Sequence, residues 1–185
     1  VEHFRRHVLH LIGGQAKGMV VAGSRMQAVK YMRAFQQYIK DHGYNDIRPL
    51  VAFSGTVKDS YTKEEFTEPG MNIDVVTGKH ISEAQLADKF DTNDYQILLV
   101  ANKYQTGYDQ PKLCAMYVDK KLSGVQAVQT LSRLNRMFPG KSEPFILDFV
   151  NEPEIIYQSF KPYYDSTELA GVTDPQSMEK LKYEL

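Results

Sequence analysis

Five short segments of the chain are almost continuously apolar, and helix-patterned segments lie between most of them. The apolar segments are residues 19–22, 50–53, 97–101, 115–118 and 145–150. They lack the alternation that marks a half-exposed strand, so we expect strands covered on both faces, as in a parallel sheet. Apolar residues recur at helical spacing in residues 25–40, 83–90 and 125–136. Alternating strands and helices predict an α/β fold with functional loops at the carboxyl ends of the strands.

The same short motif opens each of these three helices. Ser24, Ser82 and Ser123 are each followed three residues later by a glutamine. This is the pattern of a capping box, in which the serine hydroxyl accepts a hydrogen bond from a first-turn amide and the glutamine side chain reaches back. We therefore predict helix starts at these three serines.

Three further segments stand outside the alternation. Residues 1–12 are amphipathic and helix-like, and the glycines at 13 and 14 should end that helix. Residues 56–79 are polar and have no convincing period, which predicts an irregular insertion. After residue 150 the sheet pattern ends, and Pro153 and Pro162 predict short helical turns before another helix begins near residue 173.

Composition narrows the class of protein. With 185 residues, of which 42% are hydrophobic, the chain can form one large domain, alone or with appendages. A net charge of -1 gives no overall basic field, so any contact with nucleic acid must come from a local patch. The single cysteine, Cys114, excludes an intrachain disulfide and predicts a core residue in a reducing compartment. The apolar segments are too short to span a bilayer, and no signal peptide is visible.

The predicted helix over residues 125–136 has two chemically different sides at about 100° per residue. The apolar stripe consists of Ala127, Leu131, Leu134 and Phe138. The nearly opposite side carries an amide and two guanidiniums, from Gln129, Arg133 and Arg136. Arginine binds phosphate through a planar fork that stays charged at neutral pH. A solvated surface helix would show the same pattern, so both interpretations stand at this point.

Two further groups of residues follow predicted strands. After the third strand, Gly107 can adopt a positive φ or admit a ligand, Asp109 can orient an arginine, and Lys103 and Thr106 can donate to phosphate. An ordinary strand-to-helix loop is the alternative.

Hydroxyl, cationic and glycine residues also follow the first two strands. Ser24 and Arg25 stand at a predicted helix N-terminus, where a phosphate can bind, although a plain helix cap is the alternative. Ser54 and Gly55 after the second strand have the same ambiguity.

Several motifs are missing from the sequence. It contains neither G-x-x-x-x-G-K-[ST] nor G-x-G-x-x-G, so nothing here should hold a nucleotide triphosphate without help. No order of Ser, His and Asp or of Cys and His carries a nucleophile signature. His3, His7 and His10 share one side of the first helix but lack a cysteine or acidic partner, so no metal site is predicted.

In order along the chain, three segments resemble motifs of the second RecA-like domain of superfamily 2 helicases. Residues 19–30 resemble motif IV, and residues 97–109 resemble motif V. Residues 129–136, QTLSRLNR, resemble motif VI in the pattern Q-x-x-[GS]-R-x-x-R. Residues 100–111, 116–136 and 147–151 narrow the resemblance to the motor (R, restriction) subunit of type I restriction-modification enzymes. The resemblance covers residues 18–164.

This resemblance implies a RecA-like three-layer α/β domain with a mainly parallel central sheet, flanking helices and a helical C-terminal extension. Residues 1–17 would lead into the domain, residues 18–164 would form it with an insertion at 56–79, and residues 165–185 would begin a further helical region. Subunits of this family combine an endonuclease, two RecA-like domains and a helical region. They translocate double-stranded DNA with ATP and cleave it far from the recognition site.

The resemblance also assigns roles to residues. Arg133 and Arg136 would act as catalytic arginine fingers toward ATP bound by the preceding RecA-like domain, and Gln129, Gly107 and Asp109 would complete the ATP site. The residues assigned to DNA backbone phosphates are Ser24, Arg25, Ser54, Gly55, Lys103 and Thr106. ATP and Mg²⁺ would belong to the full subunit, a type I site-specific deoxyribonuclease, whereas this fragment alone would hold neither and be inactive.

The implied partners are the double-stranded DNA backbone, the preceding RecA-like domain, and the methyltransferase and specificity subunits, with no membrane. The implied location is the cytoplasm of a bacterium or archaeon. Two other functions remain open from the residues. One is a non-catalytic RecA-like module that docks nucleic acid or protein. The other is a nucleotide-binding metabolic enzyme, against which the missing glycine fingerprint argues.

Overall fold

Five parallel strands form the central sheet of the computed structural model, which describes residues 1–104, 108–142 and 144–170. Seven strands lie within these described ranges, and two of them, β3 and β4, are outside the central sheet. They are β1 (Lys17–Ala22), β2 (Pro49–Ala52), β3 (Thr56–Lys58), β4 (Glu65–Thr67), β5 (Ile97–Val100), β6 (Leu113–Asp119) and β7 (Phe145–Asp148). The sheet has the order β2-β5-β1-β6-β7 with every pairing parallel. Each predicted apolar segment supplies one of its strands. The predicted fold class is therefore confirmed.

Helices lie on both faces of this sheet. They are α1 (Leu11–Gly14), α2 (Arg25–Asp41), α3 (Glu68–Met71), α4 (Leu86–Asp91), α5 (Gly124–Leu131) and α6 (Pro153–Ala170). A π-helical segment (Phe4–Val8) precedes α1, and a 3₁₀ helix (Ser132–Asn135) follows α5. None of the helices within the described ranges is both long and apolar enough to cross a membrane.

The strands β1, β2, β5 and β6 are continuous apolar runs because successive side chains point to opposite faces and both faces are covered. The prediction of two-sided burial was wrong for β7, where Phe145 and Ile146 are 38% and 44% exposed. On one face, Val20 and Leu99 pack with the π-helical segment and α2. On the other face, Met19 and Leu98 pack with α4, α5 and the 3₁₀ helix. Cys114 is buried at 2% exposure, as predicted. Since the strands are parallel, the loops that follow them all lie at one edge of the sheet.

The segment between β2 and α4 is more regular than its sequence predicts. β3 and β4 form an antiparallel hairpin, α3 follows, and Ile73 bridges to His80. Asn72, which is completely buried, accepts a hydrogen bond from the Val51 amide at 2.9 Å and donates one to the Val51 carbonyl at 2.7 Å. The Asn72 side chain thereby occupies the free edge of β2, where another strand would otherwise pair. We call residues 56–80 the insertion.

Only one of the three predicted capping boxes forms. Ser24 Oγ accepts from the Gln27 amide at 3.1 Å, and Gln27 Oε1 accepts from the Gly23 amide at 2.8 Å. At Ser82 the predicted helix start was wrong, because the chain makes a turn first and α4 begins only at Leu86, although Gln85 Oε1 still accepts a hydrogen bond from the Ser82 amide at 3.3 Å. At Ser123 the predicted helix start is confirmed, since α5 begins at Gly124, but the Ser123 side chain makes no capping hydrogen bond.

The two ends of the described chain compare differently with expectation. The N-terminal helix ends close to the predicted place, because Ile12 and Gly13 take positive φ values of 47° and 69°, although residues 4–8 are π-helical. The predicted short turns after residue 150 are instead one long helix, α6, which continues through Pro162. The helix predicted near residue 173 lies outside the described residues.

Asp74 provides a prediction about acid stability. Its carboxylate pairs with Lys89 and accepts hydrogen bonds from the amides of Val76 and Thr77 at 2.8 and 3.1 Å. The Lys89 ammonium and these amides lower the pKa of Asp74 to about 2. A carboxyl with a depressed pKa contributes stability above its unfolded-state pKa and loses it as the pH falls through the folded-state value.

We therefore expect the free energy of unfolding to fall between about pH 4 and pH 2, and Asp74→Asn to weaken that dependence. Urea denaturation at a series of pH values measures it. Asp88→Asn, at an exposed position, is the matched control. An equal pH dependence in wild type and Asp74→Asn would contradict the prediction.

Candidate functional site

The arginine-bearing segment is two elements and not the single α-helix predicted. Helix α5 ends at Leu131, the 3₁₀ helix covers Ser132–Asn135, and Arg136 has extended backbone angles. Ser132 Oγ donates to the Val128 carbonyl where the two elements meet. Ala127, Leu131 and Leu134 are buried as the apolar stripe predicted. Phe138 lies beyond the helix, and Arg136 is placed by its extended backbone after the 3₁₀ helix and not by helical periodicity.

Arg133 is oriented by the backbone of the loop after β5. Its Nη1 donates to the Tyr108 carbonyl at 2.5 Å. Its Nε is buried and makes no hydrogen bond within the described part of the chain. Burial lowers the pKa of Arg133, and the nearby Arg136 lowers it further. Since a guanidinium remains protonated at neutral pH, the site holds a fixed and partly desolvated positive charge.

Arg136 pairs with the residue that follows Tyr108. Its Nε lies 2.9 Å from Oδ1 of Asp109, and the two side chains are 57% and 66% exposed. An ion pair this exposed contributes little stability, so its partners can be exchanged at low cost. Arg133 and Arg136 therefore both contact the loop after β5, at two consecutive residues.

Of the two remaining residues assigned to the ATP site, the structure describes one. Gln129 is exposed on α5. Gly107, and with it Thr106 of the DNA set, lies outside the described residues.

Four residues of the predicted DNA set come together where β1 and β2 end. Arg25 Nη1 donates to the Ser54 carbonyl at 2.9 Å and lies 3.4 Å from the Thr56 carbonyl. Gly55 has a φ of 71°, and a Cβ there would lie 3.4 Å from Arg25 Nη1. Ser24 caps α2 beside them. This group is exposed at the edge of the sheet that carries the strand-end loops.

Lys103 is not part of that group. Its ammonium lies 2.9 Å from each carboxylate oxygen of Glu68 and 2.9 Å from Oε2 of Glu83. Sequence reasoning missed Glu68, which is 1% exposed within a segment that appeared wholly polar. It also missed the Tyr108 carbonyl, because a backbone acceptor leaves no signal in the sequence.

Residues 74–151 match the family model of the type I restriction enzyme subunit R domain 3 (T1R_D3-like). A putative type I restriction enzyme MjaVIIP endonuclease subunit of Methanocaldococcus jannaschii is 24% identical over 163 residues, which cover 80% of this chain and 14% of the relative. The type I restriction enzyme HindI endonuclease subunit of Haemophilus influenzae is 25% identical over 173 residues, covering 90% and 15%. The chain thus spans about one seventh of the length of these relatives.

Two solved structures are also similar to this chain. The C-terminal part of the Fun30 ATPase domain has a TM-score of 0.45 and 14% identity, covering 85% of this chain and 43% of that one. The C-terminal domain of the DEAD-box protein Dbp5 has a TM-score of 0.44 and 12% identity, covering 80% and 70%. At these scores the likenesses add nothing to the fold assignment, which rests on the strand order and the layers.

The parallel sheet, its two helical layers and the loops at one edge define the class of this protein as a three-layer α/β domain of the RecA-like type. Within that class, the family match and the relatives confirm the predicted resemblance to the R subunit of type I restriction enzymes. Two such subunits match 80% and 90% of this chain at 24% and 25% identity.

Proposed function

We propose that this chain is the second motor domain of an ATP-driven DNA translocase and endonuclease subunit. In this proposal Arg133 and Arg136 face ATP bound by the preceding RecA-like domain. The proposal depends on one observation, which is that the Arg133 guanidinium is held in place but has no ion-pair partner among the described residues. The Tyr108 carbonyl orients its guanidinium, yet its Nε is unpaired and no carboxylate within the described ranges lies in ion-pair distance. A partly buried charge that has no ion-pair partner among the described residues favours an anion as its partner.

The two arginines fit a triphosphate in complementary ways. Arg133 is held in place, as a group needs to be if it is to stabilise charge that develops during phosphoryl transfer. Arg136 has an exposed ion pair with Asp109 that an arriving phosphate could replace. Asp109 would then change its partner on nucleotide binding, which is how this loop would sense the nucleotide. ATP with Mg²⁺ would supply the transferred phosphoryl group, and Gln129 and Gly107 would line the same cleft.

The group at the ends of β1 and β2 supports a second role. Arg25, with Ser24, Ser54 and Gly55, offers a cation, a hydroxyl and accessible backbone. We propose that these residues contact backbone phosphates of double-stranded DNA without reading its sequence, as translocation requires. Lys103 could join them only by leaving Glu68 and Glu83, and Thr106 remains a proposed contact.

The remaining assignments follow the relatives and stay proposals. Residues 18–164 would form the motor domain, residues 1–17 would lead into it, and residues 165–185 would start a helical region. Methyltransferase and specificity subunits would complete the enzyme, in the cytoplasm of a bacterium or archaeon.

The proposal predicts that turnover needs a second domain. We expect the purified chain to bind ATP weakly and to hydrolyse essentially none, because the phosphate-binding loop is supplied by the preceding domain. The complete subunit, assembled with its partners and DNA, should hydrolyse ATP. Phosphate release assays on both measure this, with heat-treated chain as the blank. Turnover by the purified chain that survives a further purification step would contradict the proposal.

A further inference from the structure

Lys103 joins three parts of the chain that are distant in sequence. Its partners are Glu68 at the start of α3 and Glu83 ahead of α4, all at 2.9 Å. Glu68 Oε2 also accepts a hydrogen bond from the Phe53 amide at 2.8 Å, just after β2. The end of β2, the insertion and the loop after β5 are therefore tied together at one buried carboxylate.

Glu68 holds this lysine firmly. Burial raises the pKa of the Glu68 carboxyl above its ordinary value, and Lys103 and the Phe53 amide oppose that shift. A carboxylate that is 1% exposed is strongly disfavoured without a compensating cation. Lys103 is itself only 17% exposed, so the pair is shielded from solvent and salt.

The backbone on both sides of Lys103 is in an unfavourable conformation. Asn102 and Tyr104 have φ values of 59° and 60°. Left-handed backbone is uncommon for a bulky residue such as tyrosine and persists only where the surroundings hold it. Asn102 Oδ1 accepts a hydrogen bond from Lys120 Nζ at 2.8 Å, which anchors the other side of the loop.

The contacts continue from this loop to the proposed arginine finger. The Tyr104 ring packs against the Tyr108 ring with centroids 4.5 Å apart. The Tyr108 carbonyl is the acceptor that orients Arg133. A continuous series of contacts therefore runs from Glu68 through Lys103, Tyr104 and Tyr108 to Arg133.

We propose that Glu68 and Lys103 are positioning residues, through which the insertion sets the location of the Arg133 guanidinium. This inference rests on the proposed function of Arg133. Neither residue touches the nucleotide in this account. The ion pair keeps Tyr104 in its strained conformation, and the Tyr104–Tyr108 contact keeps the Tyr108 carbonyl where Arg133 needs it.

The test uses the complete subunit with its partners and DNA. In Lys103→Met we expect kcat for ATP hydrolysis to fall between about tenfold and a hundredfold, because a displacement near 1 Å is costly in a preorganised site. KM for ATP should change by less than about twofold. Lys103→Arg should restore most of kcat, and Glu68→Gln should lower it. The matched controls are Lys58→Met and Glu65→Gln, which break an exposed 3.1 Å pair in the β3–β4 hairpin of the same insertion.

Hydrogen exchange provides a readout that does not depend on turnover. Lys103→Met should speed amide exchange in the peptide over residues 129–136, and Lys58→Met should not. If Lys103→Met does not fold, Glu68→Gln/Lys103→Met, which removes both charges, carries the same expectation.

Three results would overturn the positioning role. They are unchanged kcat in Lys103→Met, reduced kcat with unchanged exchange over 129–136, and a loss confined to DNA affinity. Failure of the proposed function would show separately, as full turnover by the subunit when Arg133 itself is replaced.

Discussion

Replacing Arg133 by alanine in the complete subunit is expected to lower DNA-dependent ATP hydrolysis by about 10³-fold or more, the scale of an arginine finger. The guanidinium is oriented by the Tyr108 carbonyl and has an unpaired buried Nε. Its charge is therefore available to stabilise a phosphoryl group in the transition state. Steady-state phosphate release at saturating ATP and DNA measures the effect.

Two further variants distinguish this role from a loss of folding. Arg133→Lys keeps a charge but loses the planar fork and should restore only a small part of the rate. Arg6→Ala removes an exposed arginine whose partner, Glu2, lies 3.2 Å away on the N-terminal segment, and it should leave turnover unchanged. Thermal unfolding should show Arg133→Ala folded. Wild-type turnover in Arg133→Ala would remove the finger assignment.

Replacing Asn72 by alanine should produce the largest loss of stability among the polar substitutions considered. Its amide makes two hydrogen bonds to Val51 and donates a third to the Glu68 carbonyl at 3.0 Å, all without solvent exposure. Leaving a buried backbone donor or acceptor unpaired costs about 1–3 kcal/mol. We therefore expect the free energy of unfolding to fall by roughly 2–4 kcal/mol, as several such groups lose their partner.

Urea denaturation followed by circular dichroism measures this loss. Asn45→Ala replaces an exposed asparagine and should change stability by less than about 0.5 kcal/mol. Because Asn72 covers the free edge of β2, the variant should also self-associate more readily, which light scattering can detect. Equal midpoints for Asn72→Ala and Asn45→Ala would show that solvent or a neighbour replaces these hydrogen bonds easily.

The sequence predicted which arginines form the candidate site, but it did not predict the backbone that presents them. The motif around Arg133 and Arg136 indicated two guanidiniums facing a phosphate, and the structure brings both to the loop that carries Asp109. The helix that was expected to present them ends at Leu131. Helical periodicity assumes a uniform helix, whereas a 3₁₀ helix and an extended residue follow α5 here.

The role of Lys103 could not be predicted from its neighbours in sequence. Its place after a strand made it a candidate phosphate ligand, yet its partners come from residues 68 and 83. The Ser82 and Ser123 hydroxyls do not make the predicted capping hydrogen bonds. A four-residue motif states which hydrogen bonds are available, but neighbours distant in sequence decide which of them form.

By itself the sequence determined the five strands, the two-sided burial of four of them and the family resemblance. A continuous apolar run can be satisfied only between two covered layers, and motif residues keep their order along the chain. Only the tertiary structure decided that Glu68 binds Lys103, that Asn72 covers the edge of β2 and that the Tyr108 carbonyl orients Arg133. These contacts join residues that are 21 to 35 positions apart, and they form only once the sheet has brought its strand-end loops to the same edge.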